Sequence, residues 1–447
     1  MRRIIGLLVF AALAMLLVAW LAGVPGQATL EFAGWRMDTS AGALGVLALG
    51  IAALFVISDR LWRLIAGAPR RFAAWRRARR ERRGHAALTR GLVAVASGEA
   101  VEAGKQARLA TKALGSPALT LLLSAQAAQL AGDEAGALVH LEAMRGLPET
   151  EFVALRGLVA GAMRSGDDRR ALELARRARD LKPAAPWVTA ALVELETRNG
   201  EWAAAAETLV RARRTKMLPP EQADSNGAAA LHERARELDR AGQRRPAIAV
   251  AERAQRLGPD RPEIAATLAM LYAEDGRTRA AGALVEKEWA RNPHPVLIPA
   301  YRRARPVEGN LQWVKQAERL ARLSPNHRES HMAMAEAALA AELWGEARRH
   351  AEAAAAASGG EPSAGLCRLF ARIAQSQGDD PEGARNWLAR AADAPADSAW
   401  TCRSCGQPHA DWRALCGGCG AFDRLEWRAP ARIAAPMAAI GTRGAGV

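Results

Sequence analysis

Four cysteines near the C-terminal end of the chain have the spacing of a metal site. Cys402 and Cys405 form one C-x-x-C pair, Cys416 and Cys419 form a second, and a glycine follows each pair. Two thiolates separated by two residues can face one tetrahedral ion, and the glycine can adopt the positive φ that turns backbone N–H groups towards sulfur. We therefore predict a structural zinc site, with iron as the chemically possible substitute. Four thiolates leave no open position for catalysis.

Two redox-active dithiols are the alternative for the same cysteines, but neither pair is followed by the strand and helix of a thioredoxin-like site. The segment 399–430, called the ribbon below, also contains four large aromatic residues. They are Trp400, Trp412, Phe422 and Trp427. We expect them to form a small core around the ion, which supplies folding free energy that about 30 residues lack by themselves. His409 is expected on the ribbon surface, and Cys367 as an inert buried thiol.

A glycine recurs along the middle of the chain at steps of 34, 34, 34, 42, 34 and 33 residues. The seven positions are Gly98, Gly132, Gly166, Gly200, Gly242, Gly276 and Gly309. An alanine stands five residues after each of the first six, as in Gly166 and Ala171. This helix–turn–helix period resembles the tetratricopeptide repeat, although most of the aromatic residues of that repeat are missing. We predict about nine hairpins over residues 86–395, whose first helices line a concave surface for partner proteins. The 42-residue step is expected to lengthen one first helix, around residues 223–240.

Six basic residues fall on the first helices of three consecutive units. They are Arg156, Arg164, Arg198, His232, Arg236 and Arg240. A basic stripe at this place could hold an acidic segment of a partner or the carboxylates of a porphyrin through charge-assisted hydrogen bonds. The alternative is that arginine in a last helical turn complements the helix dipole and stays solvated.

Two apolar runs open the chain. Residues 4–24 carry no charge over 21 positions, about 31 Å of helix and enough to cross a hydrocarbon core of about 30 Å. Residues 41–57 form a second run, and ten arginines follow it between residues 60 and 83. We predict two membrane spans with both arginine-rich flanks in the cytoplasm and the loop 25–40 in the periplasm. A cleaved signal peptide is the alternative for the first run, and a buried helix for the second.

Most of the net charge of +15 lies in the basic segment, residues 60–85, where the ten arginines stand against one acid, Glu81. Aromatic residues are interleaved with them, so we expect this segment to lie along the anionic inner leaflet. The predicted lipid-surface residues are Arg60, Arg63, Arg70, Arg71, Arg76, Arg77, Arg79 and Arg80. A solvated basic helix that only fixes topology is the alternative. Because the membrane holds these arginines, nucleic-acid binding is not expected.

These patterns predict a mainly α protein with a membrane hairpin (1–59), the basic juxtamembrane segment (60–85), an α-solenoid of tetratricopeptide-like repeats (86–395), a zinc-ribbon or rubredoxin-like knuckle (399–430) and a disordered tail (431–447). The sequence has no Gly-rich phosphate loop, no paired carboxylates in a cleft-like context and no nucleophile–histidine arrangement. We therefore predict no enzymatic activity. His327 and His331, the one histidine pair at helical spacing, could ligate haem iron or lie on an exposed polar face.

The architecture over most of the chain resembles the HemY family of bacterial inner-membrane proteins, through the membrane hairpin with the loop motif Gly34-Trp35-Arg36-Met37-Asp38-Thr39-Ser40, the basic segment and the degenerate repeats. The C-terminal run from Trp400 to Trp427 is similar to the alphaproteobacterial version of that family. The resemblance implies a scaffold of the bacterial inner membrane, with both termini and the repeats in the cytoplasm, that acts beside late porphyrin-pathway enzymes of haem biosynthesis. Direct haem or porphyrin binding stays open.

The lipopolysaccharide assembly protein B family is the alternative resemblance. Its members also join a membrane anchor, cytoplasmic repeats and a four-cysteine knuckle, and they regulate lipopolysaccharide synthesis through a membrane protease. They have one anchor, whereas this sequence predicts two.

Overall fold

The computed structural model describes residues 13, 15–16, 18–20, 23, 27–32, 34–115, 117–378 and 380–430. They fall into two compact units, Met1–His140 and Leu141–Val447. The fold is mainly helical, as predicted. Most of the first predicted span, residues 4–24, and all of the predicted disordered tail, residues 431–447, lie outside the described residues.

Within the described part of the chain, helices alternate with short turns from residue 41 to residue 393. The helices are α1 Ala41–Ala96, α2 Ala100–Leu114, α3 Pro117–Leu130, α4 Glu134–Arg145, α5 Glu151–Arg164, α6 Asp168–Leu181, α7 Pro186–Arg198, α8 Trp202–Arg214, α9 Pro220–Arg240, α10 Arg244–Leu257, α11 Pro262–Glu274, α12 Thr278–Arg291, α13 Leu297–Ala304, α14 Asn310–Ala321, α15 Arg328–Ala340, α16 Trp344–Ala357, α17 Ala364–Gly378 and α18 Pro381–Asp393. The strands are β1 Gln27–Phe32, β2 Trp35–Ser40, β3 Ala399–Cys402, β4 Pro408–His409 and β5 Leu425–Arg428.

The segment that precedes α1 is a β-hairpin. Strands β1 and β2 pair antiparallel, with Gln27 opposite Ser40 and Phe32 opposite Trp35, and Gly34 has φ +89° in the turn. Strands in this connecting loop were not among the predictions from the sequence. A two-residue turn that contains glycine, between residues of alternating polarity, is the sequence signal for such a hairpin. Ser40 also caps α1, because its Oγ accepts a hydrogen bond from Ala43 N at 3.3 Å.

Helix α1 joins three segments that the sequence pattern separates. Its 56 residues contain the stretch Gly42–Trp62, which has a mean hydropathy of 2.1 and is long and apolar enough to cross a membrane. The same helix continues through the basic segment and ends, before Gly98, as the first helix of the first repeat. The structure thus has no break at residues 59 or 85, where we placed segment boundaries.

The turn glycines of the 34-residue period all have positive φ, between +73° and +86°. Glycine recurs there because other residues meet a steric cost in this region of φ and ψ. The alanines five residues later are at most 3% exposed, and Ala171 and Ala247 are fully buried. In the hairpin formed by α15 and α16, Glu342 takes the place of glycine with φ +58°, five residues before the buried Ala347.

In the second unit, α5 to α18 follow one another as helix pairs of this kind. Helix α9 has 21 residues, whereas its neighbours α8 and α10 have 13 and 14. The predicted lengthening of this first helix is therefore confirmed, and it adds about two turns. The chain ends, within the described residues, in a three-stranded antiparallel sheet of order β4-β3-β5. Of the first cysteine pair, Cys402 is the last residue of β3 and Cys405 lies in the loop between β3 and β4.

Candidate metal centre

The sulfur atoms of Cys402, Cys405, Cys416 and Cys419 converge on one point. All four lie within 4.8 Å of one another. The Sγ atoms of Cys402 and Cys419 are 3.8 Å apart, and those of Cys405 and Cys416 are 3.6 Å apart. Four sulfurs at about 2.3 Å from a tetrahedral ion are separated by about 3.8 Å. The residues present therefore fit a four-thiolate metal ion.

The two C-x-x-C turns have the same backbone geometry. In each, the N–H two residues after the first cysteine donates to its sulfur at 3.4 Å, and the glycine after the second cysteine has positive φ. The donors belong to Ser404 and Gly418, and the glycines are Gly406 (φ +76°) and Gly420 (φ +69°). Burial raises the pKa of the Cys402 thiol, but the N–H groups of Cys405 and Ser404 outweigh burial and bring the pKa to about 7. At Cys405 the N–H of Gln407 lowers the pKa, but burial and the sulfurs of Cys419, Cys416 and Cys402 outweigh it and raise the pKa to about 12. The first turn therefore favours the thiolate form at Cys402 and opposes it at Cys405.

His409 lies beside the cysteines. Its Nε2 is 3.4 Å from Cys416 Sγ, so its ring can hydrogen-bond a ligand sulfur from outside the coordination sphere. The imidazole is half-buried rather than on the open surface. Cys367 is buried within α17, and burial raises the pKa of its thiol. It does not belong to the cysteine cluster.

The aromatic residues of the ribbon pack against the repeats as well as around the cysteines. The ring of Trp412 stacks on the imidazole of His232 in α9, with centroids 4.8 Å apart. Trp400 and Trp427 contact His294, which precedes α13, at centroid distances of 5.2 and 4.5 Å. The expectation of a core confined to the ribbon is therefore too narrow, because the same rings form the interface with the repeats.

A buried ion pair holds the same interface. Arg261, at the N-terminal end of α11, donates from Nη2 to Asp423 Oδ1 at 2.8 Å and from Nε to Glu263 Oε1 at 2.6 Å. The exposed fractions of the three side chains are 16%, 7% and 5%. Burial lowers the pKa of the guanidinium, but the charges of Glu263 and Asp423 outweigh burial and raise it. On α9, Glu233 Oε1 accepts a hydrogen bond from Ala414 N at 3.1 Å.

The two histidines beneath the ribbon both have a lowered pKa. Burial, assisted by the charges of Arg236 and Arg261, lowers the pKa of His232 well below its ordinary value. Burial lowers the pKa of His294 to about 4, and His294 Nδ1 accepts a hydrogen bond from Val296 N at 3.1 Å. Protonation of either ring would place a charge in a contact from which water is excluded.

The structure divides the six residues predicted for the partner groove into two groups. His232 and Arg236 lie beneath the ribbon, where Arg236 Nη1 donates to the carbonyl of Trp412 at 3.4 Å. The other four are exposed: Arg156, Arg164, Arg198 and Arg240. Of these four, Arg198 lines a cavity of about 820 Å³ between α7 and the second knuckle of the ribbon, whose other lining residues include Ala190 and Phe422. Partner binding by these residues stays a prediction.

The basic segment has a cavity of its own in the first unit. It measures about 920 Å³ and lies between α1 and α2. Its basic lining residues are Arg76, Arg77, Arg79, Arg80, Arg83, Arg90 and Lys112. Phe72 and Trp75 stack on the same helix at 5.8 Å, and both are more than half exposed. The side chains of Arg63, Arg70 and Arg71 lie outside the described residues, and lipid binding stays a prediction.

The histidines at helical spacing do not face one common ligand. His327 Nδ1 caps α15 by accepting a hydrogen bond from Glu329 N at 3.1 Å. His331 Nδ1 lies 3.1 Å from Nδ1 of His350 in α16. Each ring therefore has a separate hydrogen-bond partner in the structure, and ligation of haem iron by His327 and His331 stays an untested alternative.

Residues 26–132 match the family described as HemY protein N-terminus, which confirms the resemblance over this part of the chain. The chain is 29% identical over 444 residues to the probable magnetosome protein Mms48 of Magnetospirillum gryphiswaldense, covering 95% of this chain and 93% of that protein. Among solved structures it resembles Naa15/Naa10 bound to HypK-THB, with 15% identity, a TM-score of 0.40 and coverage of 70% of this chain and 58% of that one. It also resembles the tetratricopeptide-repeat domain of P58(IPK), with 15% identity, a TM-score of 0.23 and coverage of 69% and 97%.

Proposed function

We propose that this chain is a membrane-anchored repeat scaffold that binds partner proteins and supports late porphyrin biosynthesis. One observation carries the proposal: α1 runs without interruption from the apolar stretch Gly42–Trp62 into the first repeat. A repeat that shares a helix with a membrane span is held beside the bilayer. Proteins that dock on it then meet at the membrane surface, where substrates of low solubility are handed between enzymes.

The described residues support a scaffold rather than an enzyme. Among them, the one group of metal-ligating side chains is the cysteine cluster, and four thiolates around an ion leave no position for a substrate. The first-helix face of α5 and α7, with the cavity beside Ala190, offers a surface where an extended segment of a partner protein would bind.

The HemY match over residues 26–132 supports the porphyrin pathway as the setting, and a bacterial inner membrane as the place. Ten arginines follow the span between residues 60 and 83, so by the positive-inside rule the repeats and both termini lie in the cytoplasm. Similarity over nearly the whole length to a probable magnetosome protein favours a second candidate, in which the same scaffold serves magnetosomes and has other clients.

A crosslinking pull-down with the full-length chain in native membranes tests the proposal. We expect recovery of porphyrin-pathway enzymes from the unchanged protein. We expect this recovery to be lost in Ala190→Arg, because the larger side chain would extend from an exposed position on α7 into the cavity. Ala135→Arg, at an exposed position on α4, is the matched control and should retain the partners.

Other recovered partners would decide against this function. A membrane protease together with a lipid A enzyme would favour the lipopolysaccharide-assembly alternative, and magnetosome proteins would favour the second candidate. Equal recovery from Ala190→Arg and Ala135→Arg would remove the cavity from the partner site.

A further inference from the structure

The ribbon occupies part of the surface that the proposed function assigns to partners. Its aromatic rings cover His232 on α9 and His294 before α13, which are 2% and 4% exposed. His232 and Arg236 are two of the residues predicted for the partner groove. The chain thus places its own C-terminal segment on one part of the first-helix face and leaves α5 and the outer face of α7 open.

The ribbon residues that make these contacts are held by the two cysteine knuckles. Trp412 and Ala414 lie between the two cysteine pairs, whereas Asp423 follows the second pair, next to the bridge between Leu415 and Phe422. The ribbon has strands of only four, two and four residues. A segment this small takes most of its folding free energy from its metal, so its docking face exists only while the thiolates hold the ion.

The repeats in turn depend on the ribbon to satisfy buried charges. Arg261 is paired with Asp423, and Glu233 accepts the N–H of Ala414. If the ribbon unfolded in place, these groups would be left buried without those partners, which is strongly unfavourable. Loss of the ribbon fold must therefore be followed by its departure from α9 and α11 and by hydration of the groups beneath it.

We infer that the metal ion controls access to the partner groove. With the four thiolates metal-bound, the ribbon covers the first-helix face of α9 and α11; when the metal is lost, the ribbon leaves and that face joins the open surface of α5 and α7. The inference rests on the proposed function for the use of the groove by clients. The dependence of ribbon docking on the metal rests on the contacts between the ribbon and the repeats described above.

Histidine modification by diethyl pyrocarbonate tests this without any client, using the full-length chain in detergent. His232 and His294 should react slowly in the metal-bound protein, and the exposed His85 is the internal reference. Metal is removed with a mercurial that titrates thiolates, together with a chelator. We expect the rates of His232 and His294 to rise together by at least about tenfold, with His85 and the helical circular dichroism unchanged.

Arg261→Gln separates docking from metal binding, because it leaves all four cysteines in place. We expect this variant to keep its metal and yet to show faster modification of both histidines. Arg291→Gln removes an ion pair with Asp260 whose side chains are largely exposed, and it should behave as the unchanged protein. The pair formed by Arg291 and Asp260 is therefore the matched control.

Two results would overturn the inference. One is protection of both histidines within about twofold after complete metal removal; the other is exposure of the histidines only together with loss of helical signal, since the repeats themselves would then be unfolding. A response of the histidines with no client recovered from membranes would instead count against the proposed function alone.

Discussion

Arg261 and Asp423 form a bidentate ion pair between side chains that are 162 residues apart in the chain. Arg261 Nη2 lies 2.8 Å from Asp423 Oδ1, and Arg261 Nη1 lies 3.2 Å from Asp423 Oδ2. Asp423 is held in the left-handed region with φ +51°, directly after the second cysteine knuckle. The pair therefore ties the ribbon to the N-terminal end of a repeat helix, and the two parts are expected to be stable or unstable together.

Asp423→Asn tests how much this ion pair contributes to the free energy of unfolding. It leaves Arg261 buried with Glu263 as its one carboxylate partner, so we expect the free energy of unfolding of the full chain to fall by about 3 kcal/mol. Asp260→Asn, which breaks the exposed pair with Arg291, should cost less than about 1 kcal/mol. Urea unfolding followed by circular dichroism measures both. Equal losses in the two variants would show that the Arg261 pair contributes no more than a surface pair.

Metal content is expected to depend on each of the four clustered cysteines. Native mass spectrometry should find one metal ion per chain, and none after Cys402→Ser or Cys416→Ser, since three thiolates no longer close the tetrahedron. Cys367→Ala should retain the ion, because Cys367 is buried in α17 apart from the cluster. The mass of the ion distinguishes zinc from iron. Retention of the ion in both serine variants would contradict a four-thiolate site.

The free energy of unfolding is expected to fall at acid pH because His294 becomes protonated more readily in the unfolded chain. Its pKa of about 4 in the folded protein lies below the ordinary value of 6.5, so the unfolded chain binds the proton more readily between these two values. The free energy of unfolding therefore rises with pH through this window, and the His294 contribution lost on going from about pH 7 to about pH 5 is about 2 kcal/mol.

His294→Gln removes this contribution. We expect its free energy of unfolding to fall less than that of the unchanged protein over the same interval, whereas His85→Gln, at an exposed position, should follow the unchanged protein. Urea unfolding at each pH, with metal content measured on the same samples, separates this effect from acid release of the ion. Parallel pH profiles for the unchanged protein and His294→Gln would contradict it.

Glycine in the turn between α15 and α16 is expected to stabilise the protein. Glu342 has φ +58° at the place where seven other hairpins have a turn glycine, so Glu342→Gly should raise the free energy of unfolding by about 0.5 to 1 kcal/mol. The reverse change at Gly276, which has φ +82°, should cost about 1 kcal/mol as Gly276→Ala. Thermal unfolding of both variants shows whether each change raises or lowers the stability of the protein. Destabilisation by Glu342→Gly would mean that the Glu342 side chain contributes more than its backbone strain costs.

The sequence by itself determined the features that depend on neighbours in the chain. A turn that requires positive φ selects glycine, as at Gly166, and the close approach of two helices selects a small residue five positions later, as at Ala171. A C-x-x-C turn brings two sulfurs to one ion within four residues. All of these are set by local backbone sterics, so the repeats, the lengthened α9 and the convergence of the four cysteines were predictable.

Two features of the N-terminal part of the chain were not predicted from the sequence. Gly67 and Pro69 stand between the apolar stretch and the repeats, and such residues usually end a helix, yet α1 continues through both. Strands β1 and β2 also pair around Gly34, where the sequence was read only as a connecting loop.

The tertiary structure alone decided what the ribbon contacts. Trp412 stacks on His232 and Arg261 pairs with Asp423 across more than 150 residues, and no spacing in the sequence encodes which surface the ribbon meets. A tryptophan near cysteines satisfies the hydrophobic effect equally well in a small core or against a helix, because burial of apolar area has no direction. The choice between these depends on the shape that the stacked helices present. For this reason His232 and Arg236, which the sequence assigned to a partner, lie beneath the chain's own ribbon.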